Sequence, residues 1–180
     1  MGDERINKSR VERPAHPAAI DEAELLKRCV IRRGRTSGPG GQHRNKVETH
    51  VTITHEPTGL SGQAGERRSA EVNRKVALRR LRLTLATEIR APVPNGEIRS
   101  DLWLSRVKGG RIACNPAHAD FPSMLAEALD VLDVCGHDPK RAGLRLGCST
   151  TQLVRLLKEH APALEAVNAV RAARGEHTLR

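Results

Sequence analysis

Between Arg35 and Thr49 the chain runs through Gly38, Pro39, Gly40 and Gly41 into Gln42, His43, Arg44, Asn45 and Lys46. Glycines let the backbone take positive φ and remove the Cβ atoms that would hold it away from another surface, while Pro39 limits the freedom they introduce. Such a loop is shaped to intrude. Gln42 can accept through its side-chain carbonyl and donate through its amide, but it cannot move a proton near neutral pH. Gln42 is therefore a residue that positions a reactant, not a base. His43 is the titratable neighbour that a general-base mechanism would call on.

Short elements surround this loop. Asp21 with Glu24 three residues on makes a helix start for Glu22–Lys27, and Val30-Ile31 reads as a short strand. After the loop, Val51-Thr52-Ile53-Thr54 alternates as a strand, Glu56-Pro57-Thr58-Gly59 carries turn chemistry, and Leu60–Gln63 returns as the hairpin partner. From Ser69 to Ile89 no helix breaker occurs, and Leu78, Leu81, Leu85 and Ile89 fall on one stripe that can close the sheet's apolar face. The expected class is α+β, with a small sheet backed by a long helix.

The stretch Arg35-Thr36-Ser37-Gly38-Pro39-Gly40-Gly41-Gln42-His43-Arg44-Asn45-Lys46-Val47-Glu48-Thr49 resembles the GGQ signature of class I peptide chain release factors and related ribosome-rescue hydrolases. Further matches follow in order: Thr54-His55-Glu56-Pro57-Thr58-Gly59 resembles the family's THxPTG turn, and Glu66-Arg67-Arg68-Ser69 with Asn73-Arg74 resembles the opening of its final helix. The resemblance is read over residues 25–90 and over nothing after them. It implies that Gly40, Gly41 and Gln42 enter the ribosomal peptidyl-transferase centre, where Gln42 helps place a water against the ester joining peptide to tRNA. Ribosomal RNA and the tRNA 2′-OH would complete the site, with no cofactor and no metal, and His43 would belong to the loop's framework. Two departures stand out. Arg44 replaces a residue that is often small and apolar, and Ala70 follows Ser69 where Gln is frequent.

The charge pattern suits such a partner. The chain holds 31 Lys+Arg against 21 Asp+Glu, a formal net charge of +10, and residues 21–90 carry +7 of it and residues 138–180 another +4. A polyanion is the expected ligand, because each phosphate neutralised releases condensed counterions. Trp103 and Phe121 are the only large aromatic residues, so base stacking on successive rings is disfavoured and contact with RNA backbone fits better. Arg35, Ser37, His43, Arg44, Asn45 and Lys46 are the RNA-contact candidates of the loop. Arg68, Lys75, Arg79 and Arg82 are spaced to share one helix face and join them. No run of about 18 apolar residues occurs, and the first residues are polar, so neither a membrane span nor a signal peptide is expected and the location reads as cytoplasmic. Cys29, Cys114, Cys135 and Cys148 are far apart and without a CxxC pair, so they read as buried thiols; Cys114 with His118 and Cys135 with His137 are spacings too common to announce zinc.

Residues 1–20, with Pro14 and Pro17 and little apolar content, read as a disordered arm with nothing folded before Asp21; residues 21–90 read as the catalytic domain. Residues 91–97, with two prolines and Asn95-Gly96, make a linker, and residues 98–180 a mainly helical accessory domain. There, Leu102–Val107 and Arg111–Cys114 flank Lys108-Gly109-Gly110 as a hairpin, and Met124–Val134 is an apolar helix closed by Gly136. Asp138-Pro139 opens a helix that Gly147 closes, Ser149 to Gln152 forms a capping box for the next, whose Leu153, Leu156 and Leu157 face inward, and Pro162 to Arg174 forms a last helix. Two short helices on a Gly turn resemble a helix-turn-helix, with Arg155 and Lys158 as its contact candidates for ribosomal RNA or mRNA.

Codon-reading release factors have large domains ahead of the GGQ domain, whereas about twenty arm residues stand there here, so codon-independent rescue of stalled ribosomes by a monomer is the expected function. Two other readings remain open. One is a nucleic-acid-binding regulator in which the helix-turn-helix acts and the loop is vestigial; the other is a codon-dependent factor with a decoding partner.

Overall fold

A computed structural model describes residues 15–35 and 48–180. Its first half is a three-stranded antiparallel sheet in the order β1-β2-β3, formed by β1 (Cys29–Gly34), β2 (His50–His55) and β3 (Ser61–Ala64). Strand β2 alternates as its sequence dictates, with Val51, Ile53 and His55 buried and Thr52 and Thr54 half-buried. The sheet's apolar face is closed by the long helix α2 (Ala70–Glu88), which packs on β2 and β3. The short helix α1 (Glu22–Leu26) sits ahead of β1, capped by the Asp21 carboxylate, which accepts from Ala23 N–H at 2.8 Å.

A leucine stripe and one glycine explain how closely α2 sits on the sheet. Leu78, Leu81 and Leu85 are buried along one stripe, as expected, with Ile89 half-buried at its end. Gly62 on β3 has no room for a side chain: a Cβ there would lie 2.2 Å from the Ala77 carbonyl oxygen and 2.3 Å from Leu81 N. Glycine is required because the helix backbone occupies that space.

The end of the expected arm is part of the fold. Pro17–Ala19 form a 3₁₀ turn capped by His16, whose Nδ1 accepts from Ala18 N–H at 3.0 Å while its Nε2 lies 3.1 Å from the Ile89 carbonyl. His16 and Ala18 are both buried. Disorder from residue 15 onward is thus corrected: the segment contributes backbone carbonyls, which low apolar content does not announce. Residues 1–14 lie outside the described residues.

Beyond α2 the chain runs without regular structure over residues 89–100, then forms α3 (Asp101–Arg106), the two-residue strands β4 (Val107–Lys108) and β5 (Arg111–Ile112), and helices α4 (Phe121–Val134), α5 (Pro139–Leu146), α6 (Thr150–Lys158) and α7 (Ala161–Ala173). Leu102–Val107 is therefore helix followed by a minimal hairpin, not a full strand. Ser100 caps it, accepting from Trp103 N–H at 3.0 Å, and Trp103 is fully buried with its Nε1–H donated to the Leu146 carbonyl at 2.8 Å.

Helix α4 is the hub. Residues 121–132 are all buried, against α2, α5, α6 and the 3₁₀ turn. Two of its buried side chains are carboxylates held by main-chain donors: Asp130 accepts from Ala91 N–H at 2.9 Å, and Glu127 accepts from Ser100 N–H at 2.8 Å and from the Ser100 hydroxyl at 2.5 Å. They grip the proline segment at both ends, which is how two charges are tolerated inside an apolar helix. Buried residues before and after that segment fall in one cluster.

The helical pair follows its sequence signals closely. Asp138 accepts from Lys140 and Arg141 N–H, Gly147 closes α5 at φ 68°, and Ser149 accepts from Gln152 N–H at 3.2 Å. The capping box is only half made. Gln152 Oε1 accepts instead from Ile112 N–H at 3.2 Å, and Ser149 N–H donates to the Gly110 carbonyl at 3.1 Å, so both groups latch the β4–β5 hairpin to the start of α6. Among the described residues no helix is long and apolar enough to cross a membrane.

Candidate active site

The glycine-rich loop leaves β1 and returns on β2, strands paired antiparallel with Gly34 opposite His50. Ser37, Gly40, Gly41, Gln42, His43, Arg44, Asn45 and Lys46 lie outside the described residues. What the described residues give is the frame. Arg35 and Glu48, facing each other at the loop's base, are exposed and 3.9 Å apart, a separation at which a surface ion pair contributes little.

The firmer anchor is Asn73. Its side chain, fully buried, donates from Nδ2 to the Thr49 carbonyl at 2.6 Å and to the Arg67 carbonyl at 2.8 Å, and its Oδ1 accepts from Arg67 N–H at 2.9 Å. One amide thus ties the returning end of the loop to the approach of α2. Sequence reading matched Asn73 to a motif but gave it no role. Its signal is positional: Asn73 occupies the same i, i+4 row as the buried Ala77, Leu81 and Leu85, where an amide is out of place unless its hydrogen bonds are all used.

The far end of β2 is closed by the Thr54–Gly59 turn. His55 N–H donates to the Leu60 carbonyl at 2.8 Å, the His55 carbonyl accepts from Gly59 N–H at 2.8 Å, and His55 Nδ1 lies 2.9 Å from the Thr58 hydroxyl. Gly59 takes φ 70°, which the turn needs. Burial lowers the His55 pKa, with the Arg28 cation adding to the effect, so the ring is neutral and structural. At the exit of β3, Arg80 donates to the Gln63 carbonyl at 2.7 Å and pairs with Glu66 at 2.5 Å, while Ser69 caps α2 by accepting from Val72 N–H.

The basic residues divide into two kinds. Arg68 and Lys75 are exposed, with no ion pair to a described residue, as are Arg155 and Lys158 on α6. Arg79 and Arg82 are engaged elsewhere. Arg79 donates to the carbonyls of Pro116 and His118, and Arg82 donates to the Ala18 carbonyl at 3.0 Å and the Ser123 hydroxyl at 3.2 Å. Burial lowers the Arg82 pKa against the opposing pull of Glu22, Asp120 and Asp21. The expectation of one free basic face is therefore narrowed: residues 68 and 75 point to solvent, and residues 79 and 82 bind the chain's other parts.

Nucleophilic and metal chemistry find little support in the described residues. Cys135 and Cys148 are buried and Cys29 and Cys114 half-buried. Burial pushes the thiols of Cys29 and Cys114 up, and that of Cys148 to about 11, which disfavours the reactive thiolate. His118 is used by the Arg106–Asp120 pair, and no group of three or more ligating side chains occurs among the described residues.

The stretch that holds this frame, two paired strands and the long helix packed on them, lies within a known family's span. The RF-1 domain profile matches residues 18–109, just over half of the 180-residue chain. The chain belongs to the RF-1 domain family. The RF-1 domain here begins inside the 3₁₀ turn and ends in the β4–β5 turn, so it is wider on both sides than the 25–90 span of the motifs and crosses the proline segment. The flanks carry packing contacts rather than chemistry, which is why motifs alone end short of them. A protein named "Peptide chain release factor 1" from Acidiphilium cryptum (strain JF-5) is 47% identical over 62 residues, 34% of this chain and 18% of that protein. "Peptide chain release factor 2" from Variovorax paradoxus (strain S110) is 51% identical over 51 residues, 28% of this chain and 14% of that protein. The chain thus matches less than a fifth of the length of these relatives.

Proposed function

We propose that this RF-1 domain protein hydrolyses the peptidyl-tRNA ester on the ribosome, and that it does so without reading a codon, releasing peptides from stalled ribosomes. The observation that carries the reading is the unbroken Ser37 to Lys46 run, placed between paired strands inside the span of the family match. In this reading Gly40 and Gly41 let the loop reach the peptidyl-transferase centre, and Gln42 positions water for attack on the ester carbonyl. The Gln42 backbone N–H then donates to the oxyanion, and ribosomal RNA and the tRNA 2′-OH supply the rest. Arg35, Arg44 and Lys46 beside the loop, and Arg68 and Lys75 on the adjoining helix, contact RNA phosphates. The chain acts as a monomer in the cytoplasm and needs no cofactor.

Trp103 and Phe121 are both in the core, so the described surface offers phosphate contact rather than rings for base stacking. The test is release of labelled peptide from ribosomes stalled on mRNA that lacks a stop codon, comparing wild type with Gln42→Ala and Gly41→Ala. Release that either substitution lowers by about 10²-fold or more, and that adding a stop codon does not raise, is the expected outcome. Release only at stop codons would point to a decoding partner. No release from any complex, despite tight nucleic-acid binding, would replace the hydrolase by a regulator acting through α5 and α6.

A further inference from the structure

Sorting the cations by what they touch isolates a second surface, remote in sequence from the loop. Arg80, Arg90, Arg99, Arg106, Arg171 and Arg174 each donate to a carboxylate or a backbone carbonyl of the protein, as Arg79 and Arg82 do. Lys140, Arg141 and Arg145 on α5, and Arg155 and Lys158 on α6, are exposed and have no ion pair to any described residue. On α5 the exposed residues 140, 141, 144 and 145 lie along one face, and on α6 the exposed residues 151, 155 and 158 do the same.

The hairpin extends this surface. Lys108 and Arg111, both exposed and directly paired across β4 and β5, flank the Gly109-Gly110 turn, and that turn is held to the first turn of α6 through Ser149 N–H and Gln152 Oε1. The α5–α6 turn beneath is tightly fixed: a Cβ on Gly143 would lie 2.9 Å from the Cys148 carbonyl oxygen. Seven cations are thus presented by one braced unit of two helices and a hairpin. Leu144, 84% exposed beside Arg141 and Arg145, adds an apolar contact.

We propose that α5, α6 and the β4–β5 hairpin form a separate docking surface for double-stranded RNA, read through its phosphates and shape. Seven cations against the exposed Glu159 at the end of α6, with no aromatic ring among them, suit a backbone-spaced polyanion. The wide, shallow minor groove of A-form RNA lies between two phosphate rows, and Leu144 can meet the sugar edge there. The choice of RNA over DNA rests on the ribosomal reading above. The surface would hold the protein on a ribosomal RNA helix while the loop works elsewhere.

The experiment is equilibrium binding of the full chain to a 20-base-pair A-form RNA duplex over a series of salt concentrations, for the wild type and for Arg145→Ala/Arg155→Ala/Lys158→Ala. All three side chains are exposed, so the variant should melt as the wild type does, which circular dichroism checks. Each lost phosphate contact should lower the slope of log K against log salt by about one. The expected result is a slope smaller by about two to three and affinity reduced by about 10²-fold or more at moderate salt, with both largely restored by Arg155→Lys and Arg145→Lys in place of the alanines. Unchanged affinity and slope in the triple alanine variant would overturn the proposal. If ribosome association is lost with Leu144→Ser but not with the triple variant, the surface docks a protein and the RNA assignment falls. Duplex binding without peptide release would uphold this surface and remove the hydrolase reading; release with no duplex binding by the wild type would do the reverse.

Discussion

Asn73 illustrates how much one side chain can fix when it binds main-chain groups. Replacing it by alanine removes three hydrogen bonds, to the Thr49 carbonyl and to the Arg67 carbonyl and N–H. A net hydrogen bond contributes about 0.5–1.5 kcal/mol, so Asn73→Ala should destabilise the chain by about 3 kcal/mol. Chemical denaturation measures this, and peptide release should fall more than the folded fraction does, because the loop's returning end is freed. A loss below about 1 kcal/mol would show that the clamp is replaced by water. At this scale the sequence is readable where a residue's role is local. Gly59 in a turn, Ser149 and Asp138 at helix starts and Gly147 at a helix end are in this class. Asn73, Arg79 and Arg82 are not, since each has a main-chain partner 24 to 64 residues away, and a backbone carbonyl carries no signature.

Among elements, the contact between β3 and α2 is the tightest. Gly62→Ala would drive a methyl group into the Ala77 carbonyl and Leu81 N, and because both belong to helix backbone the whole of α2 must shift. Overpacking typically costs 1–3 kcal/mol when side chains can yield; here they cannot, and the loss should exceed about 3 kcal/mol. A thermal melt of Gly62→Ala against wild type tests it, and near-equal melting would refute the close approach. The helix α2 itself was legible from an unbroken run with one leucine stripe. Residues 102–106 were not, because Trp103 and the following Val107 favour strands by type, while the Ser100 cap and burial of Trp103 favour a helix. Gln152 misled for a related reason: its spacing from Ser149 suits a capping box, but the nearby hairpin offers it a different donor.

At the scale of the whole molecule, burial disfavours the charged form of three histidines among the described residues. Burial lowers the pKa of each below its ordinary value near 6.5, with Arg28 assisting at His55, and Arg79 at His160. At His137, Arg174 and Arg90 assist while Asp133 and Glu176 oppose. The unfolded chain therefore binds more protons than the folded one once pH falls below about 6.5, and stability, complete above that value, declines as pH falls toward the folded pKa values. Urea midpoints should be level between pH 8 and 7 and lower at pH 5.5; a level profile to pH 5.5 would show these rings exposed to solvent. The α+β class and the helical second half follow from periodicity and breakers. The packing of α4 against α2 does not, because an apolar helix announces that it is buried without saying against what.

The Asn73 clamp also bears on how such a protein can diverge. It grips only main-chain atoms of Thr49 and Arg67, so the side chains at these two places, one at the loop's returning end and one ahead of α2, are unconstrained by it. Substitutions there can add or remove a charge near the loop's base and ahead of the long helix while the amide that ties residue 49 to that helix stays the same, so surface charge and frame can change independently.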